Sequence, residues 1–97
     1  MLRILIRETS DELVIQPEGR LAGPWVAELS RTWLEIAPRL APRKLSIDLR
    51  ELTYADATGK QALKEIYLQA GANFVASTPW THYLAQEIVS HNPNRTA

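Results

Sequence analysis

Cysteine is absent from the 97-residue chain, and with it go thiolate catalysis and every cysteine-based zinc or iron–sulfur pattern. No disulfide is needed at this length, because a domain of about 100 residues buries roughly 60–70% of its unfolded surface and can fold on its core alone. The absence fits a reducing compartment, so the cytoplasm is the expected location. Long apolar runs are missing too. None reaches the ~20 residues that cross a bilayer, and Met1-Leu2-Arg3 leads into alternating sequence rather than the apolar stretch of a signal peptide. Neither membrane insertion nor export is expected. Net charge is also lacking: eleven basic residues balance eleven acidic ones, leaving no overall field to gather a phosphate backbone or an anionic membrane. Arg39 and Arg43 are the nearest approach to a basic cluster and sit outside any aromatic-rich stretch. Nucleic acid is therefore not an expected partner.

What is present reads as one α/β domain, residues 1–92, with a polar tail at 93–97. Leu2, Ile4 and Ile6 alternate with Arg3, Leu5 and Arg7, and a polar turn from Glu8 to Glu12 precedes Leu13-Val14-Ile15, which predicts a hairpin. Pro17 and Gly19 predict an edge or a bulge near Glu18, where regular pairing should stop, because proline cannot donate to a ladder. Gly23-Pro24 opens a helix, in which Val26, Leu29, Trp33 and Ile36 form the apolar stripe and Pro38 and Pro42 bracket the exit. Leu45, Ile47 and Leu49 alternate with Ser46 and Asp48 as a strand, followed by a loop over Arg50–Tyr54. Asp56 is placed to cap a second helix that buries Leu63, Ile66, Tyr67 and Ala70 and stops at Gly71. Asn73 to Ala76 supplies a short strand. Thr78-Pro79 starts a last helix whose inner face is Trp80, Tyr83, Leu84 and Ile88, with His91 near its C-terminal end. The order of strand, strand, helix, strand, helix, strand, helix predicts a mixed sheet of about four strands, starting with a hairpin, with three or more helices packed against it.

The hairpin, EGRLAGPWVAEL (18–29), KLSIDLRELTYADATG (44–59) and AGANFVAS (70–77) together resemble the STAS domain, the family of anti-sigma-factor antagonists and sulphate-transporter tails. The resemblance covers residues 2 to 91. Its most specific parts are the Gly19-Arg20-Leu21 turn and Ile47-Asp48-Leu49, followed seven residues later by Asp56-x-x-Gly59. It implies a SpoIIAA-like fold and a protein-interaction module rather than an enzyme. Bacterial antagonists of this family bind an anti-sigma factor that is also a serine kinase, and phosphorylation in an Asp-Ser-Ser/Thr-Gly motif breaks the complex.

This chain departs from that pattern at the acceptor itself. The residue directly after Asp56 is Ala57, which has no oxygen to phosphorylate, and Thr58 matches the motif's second hydroxyl. The expected partner-binding surface is Tyr54, Asp56, Ala57 and Thr58 with Gly19, Arg20 and Leu21. Thr58 is the candidate phosphorylation site, and Trp25, at a helix start off the main stripe, is the candidate anchor for a partner or a second copy in a homodimer.

The implied setting is bacterial signal transduction, with transcription regulated under stress. Two alternatives stand beside it. In one, the helix start after Asp56 receives an anion or nucleotide phosphate, against which the Asp56 carboxylate argues. In the other, the module is an accessory subunit of a transport ATPase. Gly59-Lys60 invites comparison with a P-loop, but Tyr54 stands at its first glycine and Gln61 replaces its hydroxyl. Gly59 is read instead as permitting close packing or local backbone freedom. His82 and His91 have no carboxylate at ligand spacing, so no metal, cofactor or hydrolytic relay is expected. No nucleophile stands beside a base at credible spacing, so no enzymatic activity is expected. The Asn94-Arg95-Thr96 sequon has no meaning without secretion.

Overall fold

The computed structural model describes residues 1–90. Strands β1 (Leu2–Glu8) and β2 (Glu12–Leu21) form the expected antiparallel hairpin, with Ile6 opposite Ile15 and Leu2 opposite Gly19. Helix α1 (Trp25–Ile36), a 3-10 turn at Ala37–Arg39, β3 (Lys44–Asp48), β4 (Leu52–Ala55), α2 (Ala57–Ala70), β5 (Asn73–Val75) and α3 (Pro79–Ser90) follow. The sheet has five strands rather than four, in the order β1-β2-β3-β5, with β4 also paired to β2. The extra strand is β4, which lies where a loop was expected and runs parallel to β2.

β2 organises the sheet. Its first half pairs in parallel with β3, Glu12 to Ile15 against Lys44 to Ile47, and its last residues pair with β4, Gly19 to Leu21 against Leu52 to Ala55. Pairing with β1 does not stop at Glu18 but continues to Gly19 opposite Leu2, and the Arg20 N–H donates to the Met1 carbonyl at 3.1 Å. Strand alternation then turns the nitrogen of Pro17 away from β1. It falls in the interval between β3 and β4, where no ladder asks for a donor. Pro17 is thus accommodated inside a central strand, fully buried, rather than at an edge. The register shift lies one residue later, between Gly19 and Arg20 on the β4 side, where Thr53 is the additional residue.

Leu13, Ile15 and Leu21 of β2, Leu45 and Ile47 of β3, and Leu49 beyond it form one buried cluster with Leu29, Trp33 and Ile36 of α1, Leu63 and Ile66 of α2, and Leu84 and Ile88 of α3. Trp33 also donates its Nε1–H to Gln69 Oε1 at 2.9 Å, tying α1 to α2. Gly71 ends α2 in the left-handed conformation, φ 65°, as its position predicts. In α3 the inner face is Thr81, Leu84 and Ile88. Tyr83, assigned to that face from its apolar character, is 62% exposed, and Trp80 is half-buried. Thr81 can be buried because its hydroxyl accepts from the Ser77 and Thr78 N–H groups, while Thr78 Oγ1 caps the Thr81 N–H.

Ser46 and Asp48 alternate with the core residues of β3, yet they are buried as well. Long side chains cover them. Ser46 donates to Glu12 Oε2 at 2.6 Å, and Asp48 accepts from Arg50 Nε and Nη2 at 3.0 and 2.9 Å, with Arg7 Nη2 at 3.5 Å. The Arg50 side chain most of all, together with its own N–H and the charge of Arg7, holds the Asp48 carboxyl below the ordinary carboxylate range, against the opposing effect of burial. Among the described residues no helix is long and apolar enough to cross a membrane. His91, the tail after Pro93 and the Asn94-Arg95-Thr96 sequon lie outside the described residues.

Candidate docking site

The site is built where β4 hands the chain to α2. Asp56 has extended backbone, φ −82° and ψ −178°, and its Oδ1 accepts from the Gly59 N–H and the Thr58 hydroxyl, each at 2.7 Å. Its other oxygen, Oδ2, accepts from the Gly23 N–H at 3.2 Å. The carboxylate therefore caps α2 and fastens it to the turn that opens α1. The Thr58 hydroxyl contributes most, then the Gly59 and Gly23 N–H groups, to holding the Asp56 carboxyl below its usual range.

Below this cap the packing is close. The Asp56 N–H donates to the Leu21 carbonyl at 3.1 Å, which continues the β2–β4 pairing to the helix start. Gly59 lies directly over the same residue. A Cβ there would collide with the Leu21 carbonyl oxygen and come within 2.9 Å of Leu21 Cγ, so Gly59 serves close approach rather than backbone freedom. Gly19 meets both demands, since its φ is 101° and an added Cβ would lie 2.5 Å from the Met1 carbonyl oxygen. The Thr53 hydroxyl donates to the Gly19 carbonyl at 2.8 Å and stitches the bulge.

Above it the surface is open. Arg20 and Tyr54 are register partners, and the guanidinium carbon lies 4.4 Å from the ring centroid, a cation–π pair on the outer side of the sheet end. Tyr54 is 41% exposed, and Ala57 and Thr58 are exposed at the first turn of α2. The corner is therefore accessible to a macromolecule.

Of the residues expected on this surface, Arg20, Tyr54, Ala57 and Thr58 are exposed, Arg20 and Tyr54 as a stacked pair at the end of the sheet and Ala57 and Thr58 in the helical turn that follows. Gly19 and Asp56 are partly covered and set its geometry. Leu21 is fully buried, so it is the floor of the site and not a contact. Trp25 is half-buried against the core and is not a protruding anchor. Sequence reasoning missed the groove that continues the site along α2 toward α3, about 360 Å³ lined by Ala57, Lys60, Gln61, Lys64, Glu87 and Ile88. The i, i+4 spacing of Lys60 and Lys64 was the available signal.

The chain matches no protein-family model and no curated relative. Solved structures do match. An antisigma-factor antagonist STAS domain from Rhodobacter sphaeroides superimposes with a TM-score of 0.58 at 20% identity, covering 90% of this chain and 94% of that one. The chain has the STAS fold. A protein of the DUF3478 family from Shewanella loihica PV-4, described as having a SpoIIAA-like fold, gives a TM-score of 0.61 at 14% identity over 95% of this chain and 80% of that one. A third structure, Mglu, gives 0.62 at 12% identity over 77% of this chain. There the STAS-fold chain spans only 19% of the other protein's length. The SpoIIAA-like architecture expected from Gly19-Arg20-Leu21 and Asp56-x-x-Gly59 is thus the one observed, with a fifth strand.

Proposed function

We propose that this protein is a non-catalytic docking module of the anti-sigma-factor-antagonist kind, which binds a regulatory protein through the Arg20–Tyr54–Ala57–Thr58 surface. The intended partner class is an anti-sigma factor with serine-kinase activity, in bacterial cytoplasmic signalling that regulates transcription under stress. The observation that carries the reading is Ala57, exposed in the first helical turn beside a solvent-facing Tyr54 and ending in a methyl group. A partner can reach that position and cannot phosphorylate it.

Thr58 is a poor substitute acceptor. Its hydroxyl already donates to Asp56 Oδ1 at 2.7 Å. A phosphoryl group there would remove the donor and set about −1.5 to −2 charge against the carboxylate, loosening the link from α2 to Gly23. Docking is accordingly reversible by dissociation but not by modification. The anion-binding alternative gains nothing from the site, because the Asp56 carboxylate already accepts the Gly59 N–H that an anion would need.

The test is size-exclusion chromatography of the protein mixed with candidate anti-sigma kinases of its own genome and ATP. Co-elution with one kinase, lost in Tyr54→Ala, supports the reading. Saturable nucleotide binding without any protein complex defeats it.

A further inference from the structure

The chain is electrically neutral and has only three lysines, Lys44, Lys60 and Lys64. Two of them stand one turn apart on α2, on the groove that begins at Ala57. Most cations of the protein are already committed: Arg3, Arg7, Arg31, Arg39, Arg43 and Arg50 each meet a carboxylate. Among the described residues Lys44, Lys64 and Arg20 meet none, and of these Lys64 alone lines the groove. Lys60 has a weak counter-ion. Its Nζ lies 3.3 Å from Glu87 Oε1, an atom that is buried yet forms no well-directed hydrogen bond. Such an oxygen is undersatisfied, and Glu87, with about a third of its side chain exposed, is free to turn toward water. Lys60 and Lys64 thus line the groove together with Ala57, while Arg20 is stacked on Tyr54, three residues before Ala57 in the chain. Ala57 itself ends in a neutral methyl that repels nothing.

We propose that the groove between α2 and α3 receives an acidic segment of the docked protein, with Lys64 making the first contact and Lys60 exchanging Glu87 for a carboxylate of the partner. This rests on the docking reading above and names the chemistry of the partner it requires. A carboxylate-bearing segment satisfies Lys64 and relieves the poor Lys60–Glu87 geometry together. It also explains why an acceptor at position 57 would matter, since a phosphate there would face incoming carboxylates.

The experiment uses a fluorescein-labelled peptide of alternating Glu and Ala, matched peptides with Gln or Lys in place of Glu, and a thymidine oligonucleotide, titrated by anisotropy at low ionic strength. The Glu peptide alone should bind saturably. Lys64→Glu should weaken it roughly three- to tenfold, added salt should weaken it likewise, and Glu87→Gln should tighten it. Amide shift changes should map to residues lining the groove. Failure of the Glu peptide to saturate, equal binding of the oligonucleotide, or indifference to Lys64→Glu would overturn the proposal; circular dichroism of each variant confirms that the fold is intact. Failure here is separable from failure of the docking reading. If Lys64→Glu captures the kinase as well as the parent protein does while Tyr54→Ala does not, docking stands and the acidic partner falls.

Discussion

Replacing Gly59 with alanine should destabilise the protein although it removes a glycine from a helix. In an open helix interior the change gains about 0.8–1 kcal/mol of propensity. Here the new methyl would meet the Leu21 carbonyl oxygen and stand 2.9 Å from Leu21 Cγ, both in the buried floor of the site. The carbonyl cannot give way, because it accepts the Asp56 N–H at 3.1 Å, so α2 must lift from β2. Forcing a methyl into packed surroundings costs about 1–3 kcal/mol, and overlap with a fixed backbone oxygen belongs in the upper part of that range, about 2–3 kcal/mol, which leaves a net loss of roughly 1–2 kcal/mol after the propensity gain. For a domain of this size that lowers Tm by roughly 4–8 °C per kcal/mol. Urea unfolding followed by tryptophan fluorescence should show a lower midpoint at unchanged m-value. An unchanged or raised midpoint would refute the close approach of α2 to Leu21.

Three further outcomes follow from the geometry. Asp48→Asn keeps the shape but weakens the bonds to Arg50 and Arg7, and should cost about 1–3 kcal/mol in urea unfolding; a loss near zero would mean the buried carboxylate is dispensable. Asp48 and Asp56 both titrate below their unfolded values, so their contribution is fully present above the unfolded pKa of about 3.9 and is lost as pH falls through the lower folded values. Urea midpoints should therefore hold steady from neutrality to about pH 5 and decline below about pH 4, with a shallower decline in Asp48→Asn. Tyr54→Ala gives up the stacking with Arg20, about 0.5–1 kcal/mol at an exposed site, and should lower stability by about that amount while removing partner capture in co-elution.

The parts legible in the sequence were those decided locally. Asp56 announces a cap because its carboxylate can reach the free N–H groups of its own first turn. Gly71 announces a stop for the same kind of reason. What stayed hidden depended on distant partners. β4 is four residues long and exists because β2 offers it a ladder after β3 has ended. Pro17 looked like the end of pairing, and only the gap between two neighbouring strands allows it to sit in a central one. In α3 the apolar character of Tyr83 concealed the spacing of 81, 84 and 88, because a threonine reads as polar until its hydroxyl is seen to be satisfied by the turn before it. The alternation in β3 gave no sign that Asp48 is buried, since its cover comes from Arg7 and Arg50 rather than from a helix. The site was half legible: Ala57 declares its missing oxygen by identity alone. That Leu21 lies beneath the surface and Glu87 comes to Lys60 required the folded chain.

The most direct measurement is the intact mass and complex stability of the parent protein and of Ala57→Ser, each incubated with the captured kinase and ATP. The account predicts that the parent gains no phosphate and stays bound, and that the serine variant gains one phosphoryl group and is released. A stoichiometric phosphate on Thr58 of the parent, with loss of the complex, would contradict it.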